Sequence, residues 1–284
     1  MNQTLESSYK FCIDLAKKHY ENFPVASLLI PKAKRKFIAA IYAFARIADD
    51  IADEGVFSAQ ERIDRLIEYK NLLLNKTLNV NYLHLPAVFH TIETNSLTLK
   101  NFSDLIDAFI QDNRKTVYQN WEEVLDYCSK SANPVGRILL EIFNIKNDQA
   151  FLYSDKICSA LQITNFIQDL RIDLLRNRFY LPKELLVKFN LTNRDLLTFV
   201  KDNLNDHRLA KVIEEAVSFT ERMFIEGKNL LNYLSGLFKK EVSLTIEGGM
   251  TILTKIRNNN FNSINRRPTL NKYDWLKIFL REIF

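Results

Sequence analysis

The sequence contains few residues that interrupt regular secondary structure. Only six glycines and six prolines occur among 284 residues. Sheet-rich folds need more turn residues than this, so the composition favours long helices joined by short connections. A hydrophobic fraction of 47 % with 26 % charged residues is typical of a globular protein with a sizeable core. We therefore expect an all-α fold in which residues 1–284 form a single domain of about ten helices.

The chain is also poor in the residues that form disulfides, zinc sites or nucleic-acid surfaces. The three cysteines are odd in number and widely spaced, which indicates reduced core residues of a cytoplasmic protein. The four histidines show no spacing typical of metal ligands. A net charge of +5 without a Lys/Arg block permits an anionic substrate or membrane surface, but it does not indicate nucleic-acid binding.

Export signals and membrane spans are not expected from the sequence. No apolar segment follows a basic start at the N-terminus, so a secretory signal is not predicted. No apolar run reaches the roughly 18 residues that span a bilayer. We therefore expect a cytoplasmic protein.

Helical periodicity covers most of the chain. Apolar residues recur at helical spacing, which predicts helices at about residues 5–21, 32–54, 59–75, 85–96, 101–113, 121–143, 148–176, 182–188, 193–200, 205–235, 239–258 and 271–283. Pro134 lacks a backbone donor and is expected to kink or restart the helix that contains it. The segment 148–176 has the longest uninterrupted helical pattern. The C-terminal helix is expected either to dock onto the domain or to lie on a membrane surface.

Four acidic residues end one of the apolar helices. In YAFARIADDIADEG, residues 42–55, Asp49 and Asp53 are spaced i and i+4 and project from one face. Asp50 and Glu54 form a second such pair, and the glycine that follows is expected to end the helix. Acidic residues here face the negative end of the helix dipole. The cluster is therefore either a solvated helix end or a site compensated by Lys, Arg or a metal, for which oxygen ligands favour Mg²⁺ or Mn²⁺.

A polar stripe runs along a second apolar helix, in LQITNFIQDLRIDLLRNRFYLP, residues 161–182. Asn165, Asp169 and Asp173 are spaced i, i+4 and i+8, and Gln162 extends the stripe. Such a stripe is costly to bury without partners. Two acidic helices facing a common cavity would hold metals that neutralise a leaving diphosphate, while aromatic walls stabilise a carbocation. The alternative is that both clusters are solvated helix ends.

These two motifs resemble the signatures of the squalene/phytoene synthase family. Two further segments, YCSKSANPVG (127–136) and TILTKIRNNNFNSINRRPTL (251–270), are similar to segments of the same family. The resemblance covers almost the whole chain. It implies a single-domain isoprenoid synthase helical bundle with a central active-site cavity and Mg²⁺-dependent chemistry on a prenyl diphosphate.

The resemblance also implies roles for individual residues. The implied metal ligands are Asp49, Asp53, Asp169 and Asp173. The implied diphosphate contacts are Arg46, Gln168, Arg178 and Tyr180. The residues expected near the reaction centre are Tyr42, Tyr127, Asn165 and Gln162.

Two positions depart from phytoene and dehydrosqualene synthases. Gln168 stands where those enzymes usually have arginine, and Gly249 stands where they usually have tyrosine. With HYENFPVAS (19–27) and SANPVGR (131–137), these departures look like the hydroxysqualene synthase branch of bacterial hopanoid pathways. That branch converts presqualene diphosphate to hydroxysqualene with water and without NADPH. Gly249 is expected to leave room for that water.

Two other functions stay open at this point. The chain would otherwise be a squalene or phytoene synthase that condenses two prenyl diphosphates head to head, or a non-enzymatic assembly factor of the same superfamily. The intact aspartates of both motifs argue against the assembly factor. The expected partners are the prenyl or presqualene diphosphate substrate, the pathway enzymes before and after it, and the inner face of the cell membrane, contacted peripherally.

Overall fold

A computed structural model of the chain describes residues 2–19 and 29–283. In these ranges the regular elements are helices, and the one β-type bridge joins Val117 to Phe179. The expected all-α fold is therefore confirmed. The motif at residues 19–27 lies outside the described residues, apart from the backbone of His19.

Fourteen α-helices are present in the described part of the chain. They are α1 (Asn2–His19), α2 (Lys32–Asp53), α3 (Ala59–Leu74), α4 (Leu85–Asn95), α5 (Leu99–Asp112), α6 (Trp121–Ser131), α7 (Asn133–Ile142), α8 (Asp148–Gln168), α9 (Leu170–Leu175), α10 (Lys183–Lys188), α11 (Asn193–Lys201), α12 (His207–Gly227), α13 (Gly236–Asn258) and α14 (Lys272–Ile283). A 3₁₀ turn, Lys228–Asn232, follows α12.

Three predicted helices are divided or shortened. The break between α6 and α7 falls at Ala132, two residues before Pro134, as that proline predicts. The prediction of one uninterrupted helix over 148–176 is wrong, because Asp169 has φ −98° and ψ 15° and separates α8 from α9. The helix predicted to reach residue 235 ends at Gly227, where the chain tightens into the 3₁₀ turn.

The described helices divide into two compact units. Unit 1 comprises residues 1–114 and 134–151, and unit 2 comprises residues 115–133 and 152–284. The single domain predicted over 1–284 stays a prediction.

Helix α2 is the central helix of unit 1. It packs against α1, α3, α4 and α5. Its sequence alternates small and large apolar residues, which lets neighbouring helices interdigitate with it, and Ala40, Ala43 and Phe44 are fully buried. The Phe44 ring stacks on Tyr69 at 5.4 Å between centroids. This helix therefore lies in the interior of unit 1.

A buried polar pair lies beside this helix. The Tyr69 hydroxyl is 2.6 Å from His84 Nε2, and both side chains are fully buried. Burial lowers the pKa of His84 to about 4, because the charged imidazolium would lose its hydration. His84 is therefore neutral at pH 7 and is part of the packed core of unit 1.

Unit 2 ends with a helix that docks onto its neighbour. Helix α14 packs on α13, where Ile278 is buried and Lys255 forms an ion pair with Asp274. The docking alternative predicted for the C-terminal helix is confirmed. Within the described residues, no helix combines the length and the apolarity needed to cross a bilayer.

None of the three cysteines forms a disulfide bond. Cys12 and Cys128 are buried, and burial raises the pKa of both thiols to about 12. Cys158 is only half-buried, so the prediction of core cysteines is confirmed for two of the three.

His84 makes the stability of unit 1 depend on pH. Its pKa falls from 6.5 to about 4 on folding, so the unfolded chain binds the proton more readily than the folded chain does. The contribution of neutral His84 to the free energy of unfolding is therefore fully present above pH 6.5 and is lost as the pH falls towards 4. We expect this histidine to remove about 2 kcal/mol of unfolding free energy between pH 7 and pH 5.

The measurement is urea unfolding of the protein and of His84→Gln at both pH values. The variant is expected to be less stable at pH 7 but to lose less stability on acidification. Equal losses in the two proteins would contradict the role given to His84.

Candidate active site

The acidic end of α2 is partly neutralised by an arginine of the same helix. Arg46 Nη2 lies 2.6 Å from Asp50 Oδ1 and 3.2 Å from Glu54 Oε1, and Nη1 lies 3.3 Å from Asp49 Oδ2. Residues three and four apart face each other on a helix, which explains the contacts with Asp49 and Asp50. Of the compensating cations considered from the sequence, arginine is the one that the structure supplies.

A second arginine donates hydrogen bonds to backbone carbonyl groups at the carboxyl end of α2. Arg62 Nη2 donates to Asp53 O at 3.2 Å and to Gly55 O at 3.1 Å. Gly55 has φ +80°, the left-handed conformation that was predicted for the helix stop. A cation here interacts favourably with the negative end of the helix dipole. The sequence alone did not identify Arg62, because its partners are backbone oxygens.

Tyr42 and Asp49 lie on the same stretch of α2 as Arg46. Burial raises the pKa of the Tyr42 hydroxyl, and the carboxylates of Asp49 and Asp50 raise it further, whereas Arg46 opposes the shift. The phenol is therefore protonated at neutral pH. The side chain of Asp49 is 43 % exposed, so a ligand from solvent can reach it.

The second motif keeps its stripe across the break in the helix. The Asp169 N–H donates to Asn165 O at 2.8 Å, and the Asp173 N–H donates to Asp169 O at 3.0 Å. These bonds join residues four apart, as in a continuous helix. Asn165 is exposed, whereas Gln162, Asp169 and Asp173 are half-buried. The three residues predicted on one face therefore stay linked in successive turns.

The chain leaves α9 through a defined helix ending. Asn177 has φ +58°, and the Arg178 N–H donates to Asp173 O at 2.8 Å, which is the pattern of a Schellman motif. The Phe179 N–H then donates to Thr116 O at 2.8 Å. This helix ending fixes the backbone positions of residues 178–180.

Four buried aromatic rings surround this exit in unit 2. Tyr180 stacks on Phe166 with centroids 3.9 Å apart and an interplanar angle of 5°. The ring of Tyr127 lies 5.7 Å from Tyr180, and that of Tyr118 lies 5.6 Å from Tyr180. Aromatic faces attract cations within about 6 Å. Tyr118 was missed in the sequence because it lies between helices, where no periodicity marks it.

The C-terminal segment is bonded to the second motif. Gln168 Nε2 donates to Pro268 O at 2.6 Å, and the Arg267 guanidinium donates to both carboxylate oxygens of Asp169. Gln168, predicted as a diphosphate contact, therefore holds the backbone of a distant segment. Arg267 belongs to the RRP stretch that carries the family resemblance, but nothing local in the sequence pairs it with Asp169.

The carboxylates fit a metal that takes few protein ligands. Among the residues that the structure describes, no three His, Cys, Asp or Glu side chains are grouped to hold one ion. Mg²⁺ commonly uses one or two carboxylates and completes its octahedron with water and phosphate oxygens. The side chains of Asp49 and Asp169 are 43 % and 28 % exposed. Both are thus reached by solvent, and an ion at Asp169 would share the carboxylate with the Arg267 guanidinium.

The expectation of free space at Gly249 is wrong. A Cβ on this residue would lie 2.5 Å from Phe224 Cζ and 3.1 Å from Leu161 Cδ2. Glycine is required here because α13 approaches the buried ring of Phe224 closely. The space that a larger side chain would take is filled by Phe224 and does not hold water.

The twelve predicted site residues fall into two groups. Unit 1 carries Tyr42, Arg46, Asp49 and Asp53, all on α2. Unit 2 carries Tyr127, Gln162, Asn165, Gln168, Asp169, Asp173, Arg178 and Tyr180. Within unit 2 the structure brings Tyr127 and Tyr180 into ring contact. The roles of all twelve in catalysis stay predictions.

Sequence comparisons identify relatives over most of the chain. A family model described as squalene/phytoene synthase matches residues 16–274. The hydroxysqualene synthase of Zymomonas mobilis is 35 % identical over 183 residues, which cover 63 % of this chain and 60 % of that protein. The hydroxysqualene synthase of Sinorhizobium fredii is 37 % identical over 58 % of this chain and 56 % of that protein. The match spans less than two thirds of the length of these relatives.

Solved structures match nearly the whole chain. The squalene synthase HpnC from Alicyclobacillus acidocaldarius is 32 % identical with a TM-score of 0.83, covering 91 % of this chain and 96 % of that chain. A dehydrosqualene synthase in complex with ligand has a TM-score of 0.86 at 19 % identity, covering 99 % of this chain and 96 % of that chain. At this identity the match supports the fold and nothing more. The predicted isoprenoid synthase fold is thus confirmed, and the central cavity stays a prediction.

Adjacent glycines in α13 provide a test of the packing at Phe224. A Cβ on Gly248 would meet Leu270 and Trp275 at 3.6 Å, an ordinary contact. We expect Gly248→Ala to stabilise the protein by up to about 1 kcal/mol, because alanine is the better helix former. Gly249→Ala is expected to be less stable than Gly248→Ala by about 1–3 kcal/mol, because its methyl group overpacks the core.

The measurement is the free energy of unfolding in urea for both variants. Adding Phe224→Leu to Gly249→Ala is expected to recover part of the loss. Two single variants of equal stability would show that Phe224 does not restrict residue 249.

Proposed function

Because the chain belongs to the squalene/phytoene synthase family, we propose that it converts presqualene diphosphate and water to hydroxysqualene and diphosphate. The observation that carries this proposal is the presence of both acidic motifs, on α2 and on α8–α9, in a chain 35 % and 37 % identical to hydroxysqualene synthases. The product would pass to the next enzyme of squalene and hopanoid synthesis.

The acidic motifs would hold the metal that this reaction needs. Asp49 with Asp53, and Asp169 with Asp173, would bind Mg²⁺ or Mn²⁺, which supplies positive charge to the leaving diphosphate when bound. Asn165 and Gln162 extend the stripe of the second motif and would assist that site. Each pair matches the small number of protein ligands that Mg²⁺ takes.

Positive and polar side chains of the protein would orient the diphosphate. Arg46 is held by three carboxylates, so its planar guanidinium has a defined position for phosphate oxygens. Arg178 and Tyr180 directly follow the Schellman ending of α9, which restricts their placement. Gln168 would act on the diphosphate together with the segment that it holds at Pro268.

Aromatic residues would protect the cation formed when the diphosphate leaves. Tyr127, Tyr180 and Phe166 form a buried cluster, and the ring faces left uncovered by their mutual stacking would stabilise positive charge and are weak nucleophiles. The Tyr42 phenol stays protonated because burial raises its pKa, and would donate a hydrogen bond without attacking the cation. Water then adds to the cation and releases a proton. The reaction is redox-neutral, and NADPH is not required.

We further propose that the protein acts in the cytoplasm at the inner face of the cell membrane. Its three cysteines form no disulfide, which suits a reducing compartment. A C30 substrate and product favour peripheral contact with the bilayer.

The test is incubation of the purified protein with Mg²⁺ and either presqualene diphosphate or farnesyl diphosphate, without NADPH, followed by analysis of the extracted lipids. Hydroxysqualene formed from presqualene diphosphate is the expected product. Consumption of farnesyl diphosphate alone would instead indicate a head-to-head condensing enzyme. Turnover of neither substrate would favour a non-enzymatic assembly factor.

The metal ligands are tested by Asp49→Asn, Asp53→Asn, Asp169→Asn and Asp173→Asn. Each is expected to lower turnover by at least about 100-fold, the scale of losing a group that stabilises developing charge. Asp64→Asn, on the exposed face of α3, is the matched control and is expected to keep full turnover. Full activity of the four variants, or activity in excess EDTA, would exclude the proposed metal site.

A further inference from the structure

Helix α14 carries an apolar strip on its outer side. Tyr273, Leu276 and Leu280 are 77 %, 54 % and 48 % exposed. Spacings of three and four residues place them along one helical face. Ile278, on the opposite side, is 5 % exposed. Docking onto α13 therefore covers one apolar face of this helix and leaves a second one at the surface.

Basic residues border the strip on both sides. At about 100° per residue, Lys277 and Arg281 lie roughly 40° and 80° from Tyr273 in one direction, and Lys272 lies about 100° away in the other. All three are exposed. Arg281 Nη1 is 3.7 Å from Glu247, yet its side chain remains 78 % exposed. Their long stems let their charges reach the edge of the strip.

The described acidic side chains of α14 and of the neighbouring face of α13 are held inward. Asp274 is 17 % exposed and forms an ion pair with Lys255 of α13. Glu247 is 13 % exposed and pairs with Lys228. The outer face therefore combines exposed apolar side chains with a positive border.

We propose that this strip docks α14 onto a lipid bilayer with anionic headgroups. The apolar residues would enter the headgroup boundary, and the basic residues would contact lipid phosphates. Positive borders on both sides complement a surface that is uniformly negative around the helix. The inference deepens the proposed function and rests on it, because an apolar substrate and product would be exchanged with the membrane.

The experiment is co-flotation of the full chain with vesicles of phosphatidylcholine alone or with about one third phosphatidylglycerol. Binding is expected only to the anionic vesicles and is expected to fall as salt screens the charges. Each of Lys272→Gln, Lys277→Gln and Arg281→Gln should weaken binding by about fivefold. The double variant Leu276→Glu/Leu280→Glu should weaken it by at least about tenfold.

The matched control is Leu78→Glu/Val80→Glu. These residues are 62 % and 89 % exposed in unit 1, so the control adds the same charge at apolar positions that are more exposed than Leu276 and Leu280. Unchanged vesicle binding by the α14 variant, or an equal loss in the control, would overturn the proposal. A third outcome would also overturn it: the parent protein is a dimer in solution, it does not bind vesicles, and the α14 variant is a monomer. The strip would then be covered by a second copy of the chain.

Turnover of presqualene diphosphate in detergent micelles separates this inference from the proposed function. The α14 variant is expected to keep that turnover while losing vesicle binding. If the parent protein turns over the substrate in micelles but does not bind anionic vesicles, the docking inference fails and the proposed function stands. If it binds vesicles and turns over neither diphosphate, the proposed function fails.

Discussion

Carboxylates on apolar helices have to be balanced by positive charge, and an arginine meets part of this requirement at each acidic motif. Arg46 contacts three acidic side chains at the end of α2, and Arg267 contacts Asp169 between α8 and α9. These pairs are partly exposed, so each contributes at most about 1 kcal/mol to stability. Their main effect is on geometry. Within each motif the carboxylates are oriented by the protein's own side chains.

Local features of the site were predictable from the sequence. The periodicity of residues 32–54 located a buried helix, and Gly55 located its end, because a left-handed residue after a helix favours glycine. The spacing of Asn165, Asp169 and Asp173 placed them in successive turns, and the backbone bonds agree. Each of these inferences depends on residues within a few turns of one another, where spacing alone determines which side chains are neighbours.

Contacts between distant segments were not predictable in the same way. The partner of Gln168 is the backbone of Pro268, and the missing side chain at Gly249 is replaced by the ring of Phe224 from another helix. The sequence shows a glycine at position 249, but it does not show which side chain fills the volume beside it. The break at Asp169 was hidden for a related reason, since the apolar pattern continues through it. Tyr118 is brought to the aromatic cluster by the backbone bonds of residues 116–119 to the segment that follows α9.

The contact between Asp169 and Arg267 joins residues that are 98 positions apart. On a ribosome, α8 and α9 emerge well before their counter-ion does, because synthesis adds only about 5–20 residues per second. For several seconds Asp169 is without the arginine that neutralises it in the finished protein. The second acidic motif is therefore assembled late, and a nascent chain that stops before residue 267 carries its aspartates without being able to complete their surroundings.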